Sequence, residues 1–478
     1  MALNKLLRLY IIFIIAASFN LHAQLKSNNN QADYLIITPT QFIKTLQPFI
    51  KWRENKNLNV NVIELQQIHS EFQDSTQTSS IRNFISYALT YWSNPKPKYV
   101  LLVGGAKLIP SYNVPSMFAY LKDYHEDSVS IDEWYAVNSY ESDTAPDIAL
   151  GRFPIDNEQE LNNIISKSIY FEDSLTSKYY PSDFLFLTDK TDSELFEQSA
   201  NKFISSTLPI SFSKNIIFAG QDSTIGTTRI HLIDALNNGT IFLSYYGHGA
   251  PDRWSKYNIF DFEDIDSLKV NNLPFIFTAA ACDQPFDFPG DSSIVKKLIA
   301  LYGSGTVASV ASTGLNYLTN GSDFLTTFYN NLFSRQDVAI GDAILQTKLQ
   351  LETYNYSADV IPRRYTLLGD PALKLPSNTI TGVTMNHEKI PDSYSLKQNF
   401  PNPFNPSTII NYSIPKAGFV TIKIYDLLGR EVATPVNEEK QPGNYSVHFD
   451  GSELSSEIYF YTLKAGNFYQ TKKMILLK

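Results

Sequence analysis

Two residues stand out by chemical type and by what precedes them: His248, in Tyr245-Tyr246-Gly247-His248-Gly249, and Cys282, the one cysteine of the 478-residue chain. A free thiol, with pKa about 8.5, is mostly protonated at neutral pH; an adjacent imidazole raises the thiolate fraction and can later protonate a leaving amine. Each residue closes an apolar run, Thr240 to Tyr246 for the histidine and Pro274 to Ala281 for the cysteine. A lone cysteine is more often a small buried hydrophobe, and a lone histidine more often structural. Their two matched settings separate this pair from those readings.

The runs are short, β-branched and aromatic, without polar alternation, as strands buried on both faces of a parallel sheet are. The spacing makes them neighbours, joined by a crossover over Gly249 to Leu273 with a helix-like piece around Phe262 to Val270. Ligands of open α/β sheets sit beyond the carboxyl ends of the strands, so this placement predicts a Cys/His dyad over one crevice.

Strands and helices alternate around that pair. Expected strands are Tyr34 to Thr38, Val60 to Leu65, Tyr99 to Gly104, Asp147 to Gly151, Asp183 to Thr188, Asn215 to Ala219 and Thr306 to Ala311, with a closing strand in Tyr365 to Leu375. Helices are expected from Thr40 through Trp52 with a kink at Pro48, and over Ser79 to Tyr91, Glu158 to Glu172, Ser193 to Ile204, Thr227 to Leu236 and Ser292 to Leu301. Asp323 to Leu351 reads as one long helical stretch, and Asn113 to Glu141 as an irregular insertion. This pattern implies parallel sheets covered by helices, in two lobes spanning residues 32–180 and 181–375. Residues 376–392 read as a linker, and 393–478 as an all-β sandwich of six strands with turns at Leu427-Leu-Gly, Gln441-Pro-Gly and Lys464-Ala-Gly.

A net charge of −9 without a Lys/Arg stripe excludes nucleic acid as the expected partner. Lys5 and Arg8 with the apolar run Leu6 to Ala17 and Leu21-His22-Ala23 read as a Sec signal, residues 1–23, cleaved before Gln24. No transmembrane helix is then expected in the mature chain, and with a single cysteine stability must come from core burial. No Cys/His cluster suggests zinc.

The ordered series Tyr99-Val-Leu-Leu-Val-Gly, Gly151-Arg152-Phe153-Pro154, Gly247-His248-Gly249, Asn272-Leu-Pro-Phe-Ile-Phe, Gly305-Thr-Val-Ala and Gly369-Asp-Pro-Ala-Leu resembles the gingipain-like cysteine peptidases of the caspase-like clan, over Ala32 to Leu375. The resemblance implies a two-lobed caspase/gingipain-like α/β fold and peptide-bond hydrolysis through an acyl-enzyme. Cys282 would be the nucleophile, His248 the general base and acid, and the backbone amides of Gly249 and Cys282 the oxyanion hole. By the same resemblance an acid orienting the imidazole should follow the first strand of the second lobe, which gives Asp189, with Asp192 next. The chemistry requires no cofactor. Acidic clusters at Asp261, Glu263, Asp264 and Asp266, and at Asp123, Glu126 and Asp127, could hold structural calcium as family members do, although their spacing is not that of an EF-hand and also fits a solvated face. The long propeptide of better-known members has no counterpart between the signal and the first strand, and no residue pattern supports an Arg or Lys preference.

The tail, with Asn399-Phe-Pro-Asn-Pro-Phe-Asn-Pro406, Tyr425-Asp-Leu-Leu-Gly-Arg430 and Gly443-Asn-Tyr, resembles the C-terminal sorting domains of the type IX secretion system over Ser393 to Lys478. That implies a Gram-negative cell, export across both membranes to the surface or medium, and the secretion machinery as a partner beside a protein or peptide substrate. Two rival functions keep the fold: a sortase-like transpeptidase of the same system, and a catalytically inactive surface-binding protein.

Overall fold

The computed structural model describes residues 24–116, 118–120, 127–138, 145–174, 183–209, 212–270, 273–287, 293–335, 337–352, 361–376, 393–399, 402–440 and 443–477, with backbone alone at some of these, including 281–283. The expected signal, the linker and the boundary between the lobes lie outside the described residues. The chain forms two units, residues 1–381 and 382–478.

In the first unit the strands are β1 (Tyr34–Thr38), β2 (Val60–Glu64), β3 (Tyr99–Val103), β4 (Tyr112–Pro115), β5 (Ser128–Ile131), β6 (Ala149–Phe153), β7 (Asp183–Thr188), β8 (Ser213–Phe218), β9 (Phe242–Tyr246), β10 (Gly249–Ala250), β11 (Arg253–Trp254), β12 (Phe260–Asp261), β13 (Phe275–Asp283), β14 (Thr306–Ser312) and β15 (Tyr365–Leu368). One ten-stranded sheet takes the order β2-β1-β3-β6-β15-β14-β13-β9-β7-β8. Both lobes therefore share a sheet, and the closing strand lies at its middle. β15 runs parallel to β6 but antiparallel to β14, so the strands of the two lobes point in opposite directions. Only the second lobe directs its carboxyl ends to the edge where His248 and Cys282 stand. β1, β3, β9 and β14 are buried along their whole length, as their unbroken apolar runs require.

The helices are α1 (Gln47–Asn55), α2 (Leu65–Glu71), α3 (Gln77–Tyr91), α4 (Glu158–Ile169), α5 (Ser193–Ser206), α6 (Ile225–Asn238), α7 (Ile294–Ala300), α8 (Leu318–Leu332), α9 (Ile340–Glu352) and α10 (Ile361–Arg364). Pro48 does not kink a helix; it begins one. Thr40–Phe42 is a separate 3₁₀ turn, and Pro48 occupies the first turn of α1, where its missing N–H is not needed. The expected long helix is two, α8 and α9. The expected insertion holds order of its own: β4 and β5 pair as a hairpin, and a 3₁₀ turn at Asp132–Ala136 follows. The helix-like piece after His248 is the 3₁₀ turn Asp264–Ser267, preceded by a small sheet of β10, β11 and β12.

Two buried arginines carry charge into the core, and the first of them bridges the lobes. Arg53 of α1 donates through Nε to Asp370 (2.7 Å) and through Nη1 to Glu172 (3.1 Å), and Tyr34 donates its hydroxyl to Asp370 (2.7 Å). Arg152 of β6 forks onto Asp132 (2.6 and 2.8 Å) and reaches the carbonyls of Gly104 and Ile109 (2.7 and 2.9 Å). Asp370 and Arg152 belong to two of the motifs noted in the sequence, and both act here as buried charges neutralised across elements.

α8 lies directly on the cysteine-bearing strand. A Cβ at Gly321 would stand 1.5 Å from the Ala280 carbonyl oxygen, which also accepts a hydrogen bond from Tyr365 (3.0 Å). Gly321→Ala must push helix and strand apart, and backbone cannot rotate away as a side chain can. We expect a loss of about 3 kcal/mol, at the upper end for overpacking, read from urea unfolding.

The second unit contains β16 (Ser395–Leu396), β17 (Ser407–Ile414), β18 (Gly418–Tyr425), β19 (Glu431–Lys440), β20 (Gly443–Asp450), β21 (Ile458–Ala465) and β22 (Phe468–Ile475). Antiparallel sheets β16-β17-β20 and β19-β18-β21-β22 enclose one apolar cluster that includes Ile410, Tyr412, Ile422, Ile424, Leu463 and Met474. Among the described residues of the proline-rich entry, Phe404 is buried and its N–H donates to Ile475 (2.9 Å). Among the described residues of the whole chain, no helix is long and apolar enough to cross a membrane.

Candidate active site

β9 and β13 are adjacent and parallel, and their pairing runs as far as Ala279 with Tyr245; His248 lies two residues beyond the end of β9 and Cys282 three residues beyond that last pair, at the same end of the sheet. The pairing of β13 with β14 is interrupted between Thr278 and Asp283, so the segment bearing Cys282 departs from the regular ladder on that side. Such irregularities beside a site redirect a strand end. The Cys282 side chain lies outside the described atoms, so its place is given by strand and register.

His248 is held at both backbone polar groups. Its N–H donates to Asp189 Oδ2 (3.2 Å), and its carbonyl accepts from the Ser255 N–H (2.7 Å) and the Tyr245 hydroxyl (2.7 Å). Asp189 is fully buried, and its Oδ1 also accepts from Ser255 Oγ (2.6 Å) and the Thr191 N–H (3.0 Å). Asp189 therefore secures the main chain around His248, while the ring meets the other acid considered, with Nε2 3.2 Å from Asp192 Oδ2. The ring also presents to the edge of Phe196, centroids 5.2 Å apart. It stays open to solvent, its side chain 56% exposed.

Asp192 is an unusual N-cap. It precedes α5 in the left-handed region (φ 50°, ψ 35°) and makes no side-chain capping bond. An Asp in this place normally caps its helix, worth about 1 kcal/mol, and left-handed backbone costs a non-glycine residue something more. Its carboxylate is turned to the imidazole instead. Both partners are more than half exposed, so the contact adds little stability and its consequence is ring orientation.

Gly247 has no room for a side chain: an added Cβ would lie 2.4 Å from the Tyr245 hydroxyl and 2.5 Å from Asp189 Cβ. Gly247→Ala is expected to displace His248, lowering kcat/KM by about 100-fold, as an error near 1 Å can. The measurement is the steady-state rate of the peptide cleavage that the sequence resemblance implies, with circular dichroism to confirm the fold. Gly249 pairs with Trp254, and the neighbouring Ser255 N–H bonds to the His248 carbonyl. By antiparallel alternation the Gly249 N–H then points away from β11, free of that ladder.

Sequence reasoning missed Gln284, two residues beyond the cysteine. It is buried; Nε2 donates to the Ala250 carbonyl (2.9 Å), Oε1 accepts from Trp254 Nε1 (3.3 Å), and its N–H donates to Ser312 (2.9 Å). One side chain thus ties the histidine hairpin to the end of the cysteine strand. A glutamine after a strand carries no spacing signal, and only the pairing of β9 with β13 exposes its role. Gln284→Leu takes a partner from the buried Trp254 Nε1 and from the half-buried Ala250 carbonyl and is expected to destabilise by about 2 kcal/mol, measured by melting.

The acidic residues after β12 meet cations of the chain itself. Arg229 Nη2 lies 3.2 Å from Asp261 and 2.5 Å from Asp264, and Lys297 lies 2.8 Å from Asp266. Burial raises the Asp264 carboxyl pKa. Among the described residues no group of three or more His, Cys, Asp or Glu side chains could hold a metal ion. Asp123 and Glu126 lie outside the described residues.

Residues 27–376 match the model of Peptidase family C25. The chain belongs to that family. Residues 398–477 match a secretion system C-terminal sorting domain. The chain is similar to Gingipain R2 of Porphyromonas gingivalis, 22% identical over 291 residues, covering 58% of this chain and 36% of that protein. It has the same identity to Gingipain R1 of that species, covering 27% of it. The chain thus spans about a third of the curated relatives it matches. Among solved structures, the crystal structure of the Arg-specific cysteine proteinase gingipain R superposes with a TM-score of 0.58 at 16% identity, covering 94% of this chain and 98% of that one. A complex of gingipain pro- and mature domains from Porphyromonas gingivalis gives 0.58 at 16%, covering 93% and 100%. The C25 chain thus has the gingipain fold, with an α/β sheet and a terminal all-β unit.

Proposed function

We propose that this C25 chain is an exported cysteine endopeptidase. The observation that supports the reading is the His248 ring, beside Asp192 just past the carboxyl end of β9, with Cys282 near the same end of the neighbouring parallel strand β13. In this mechanism His248 takes the thiol proton, and Cys282 Sγ attacks the scissile carbonyl carbon. The Gly249 and Cys282 amides receive the oxyanion. Collapse breaks the C–N bond, the imidazolium protonates the leaving amine, and a thioester remains. His248 then removes a proton from water, which attacks the thioester to release the acid and restore the thiol. Asp192 holds the ring, and Asp189 holds the loop that carries it.

The test is a peptide library incubated with the chain from Gln24 and with its Cys282→Ala form, with an added amine in parallel. Cleavage to free acids by the first and none by the second is the expected result. Equal cleavage by both would remove the mechanism, and products joined to the amine would point to transpeptidation. The sorting domain supports delivery to the cell surface or the medium by the type IX machinery. A chain ending before Ser393 is expected to remain in the periplasm, checked by cell fractionation.

A further inference from the structure

We propose that Phe286 and Asp287 form a latch through which the first lobe fixes the chain leaving Cys282, making Ser130 and Arg152 positioning residues for the reaction. The inference rests on Cys282 as nucleophile. A segment leaving a strand beside a reactive group would ordinarily be a solvated loop. Here Phe286 is only 3% exposed, and it lies 5.0 Å from the guanidinium of Arg152. That guanidinium is bound by Asp132 and two carbonyls, so the ring meets a cationic plate held on its other sides. Asp287 follows, and its Oδ2 accepts from Ser130 Oγ of β5.

Ser130 is bound from the other side as well: its carbonyl accepts from Thr313 Oγ1 (2.6 Å), just beyond β14, and its hydroxyl also contacts Asn113 Oδ1 (2.9 Å). The β4–β5 hairpin thus touches the exits of both β13 and β14, the two strands whose mutual pairing is interrupted at Cys282. Burial, with the Asp132 charge behind it, pushes the Asp287 carboxyl above its usual range, a cost that a merely solvated loop residue would not bear. The arrangement gives the first lobe a hold on the chain that leaves Cys282.

Because the chain has one cysteine, its reactivity can be read without substrate, as the rate of mass gain with iodoacetamide. The full chain is compared with Ser130→Ala, Asp287→Ala, the double variant and Asp287→Asn, which keeps an acceptor for Ser130. In each single alanine variant, the alkylation rate and kcat are expected to fall about tenfold with KM nearly unchanged. The double variant should lose no more, and Asp287→Asn should stay near wild type. Folded alanine variants alkylated and turning over at the wild-type rate would overturn the latch, as would additive losses. A wild-type chain that cleaves no peptide, yet shows the same pattern of alkylation rates, would uphold the latch and remove the peptidase reading.

Discussion

His248→Ala should lower kcat/KM on any cleaved peptide by about 10³-fold or more, the scale of a positioned general acid-base group, while leaving the melting temperature nearly unchanged. The separation follows from where the residue's contacts lie. Its structural bonds are made by its backbone, to Asp189, Ser255 and Tyr245, and alanine keeps all three. The ring is more than half exposed, so its removal forfeits little buried area. Initial-rate kinetics and a thermal melt on the same preparation check both halves. Asp192→Asn should show a smaller loss of kcat with an altered pH profile. Asp189→Ala should lose activity and stability together, because it strips the acceptor from three buried or half-buried donors.

The second large effect is structural. Arg53→Met is expected to cost about 3 kcal/mol, read as a shift of the urea midpoint, because it leaves Asp370 buried without a cation, while Glu172 keeps Lys56 at 3.5 Å. Side chains of Arg53, Glu172 and Asp370 are 1%, 6% and 0% exposed, so solvent cannot replace the guanidinium. Asp370 follows β15, the strand that joins the two lobes, and Gly369 donates to the Arg152 carbonyl across that seam (2.8 Å). Loosening it should therefore also reduce the proposed peptidase activity. A double variant that removes Asp370 as well should recover part of the loss, since the main penalty is the unpaired charge.

How much of this was legible in the sequence depended on the range of the interactions involved. β9 and β13 could be read because burial on both faces leaves an unbroken apolar run, and the connection between them is long enough for the crossover that parallel neighbours need. The opposite sense of the lobes could not, since it is set by β15 pairing at long range with both β6 and β14. Pro48 looked like a kink because the apolar spacing of Phe42, Leu46 and Phe49 continues through it; the backbone instead starts afresh at the proline. The hairpin at Tyr112 and Ser128 was hidden by alternation too short to register. The resemblance put Asp189 ahead of Asp192 as the acid beside the ring, and the ring instead meets Asp192. What separates them is a left-handed residue at Asp192, which turns its carboxylate from the helix toward the ring, and no spacing rule encodes that.

The most direct measurement is labelling of the chain from Gln24 with a peptidyl acyloxymethyl ketone, an electrophile that needs both a substrate groove and an activated thiolate. A single adduct on Cys282, formed about 100-fold more slowly in His248→Ala, is the predicted result. An adduct formed equally fast without His248, or a Cys282 that reacts with iodoacetamide but not with the peptidyl reagent, would contradict it.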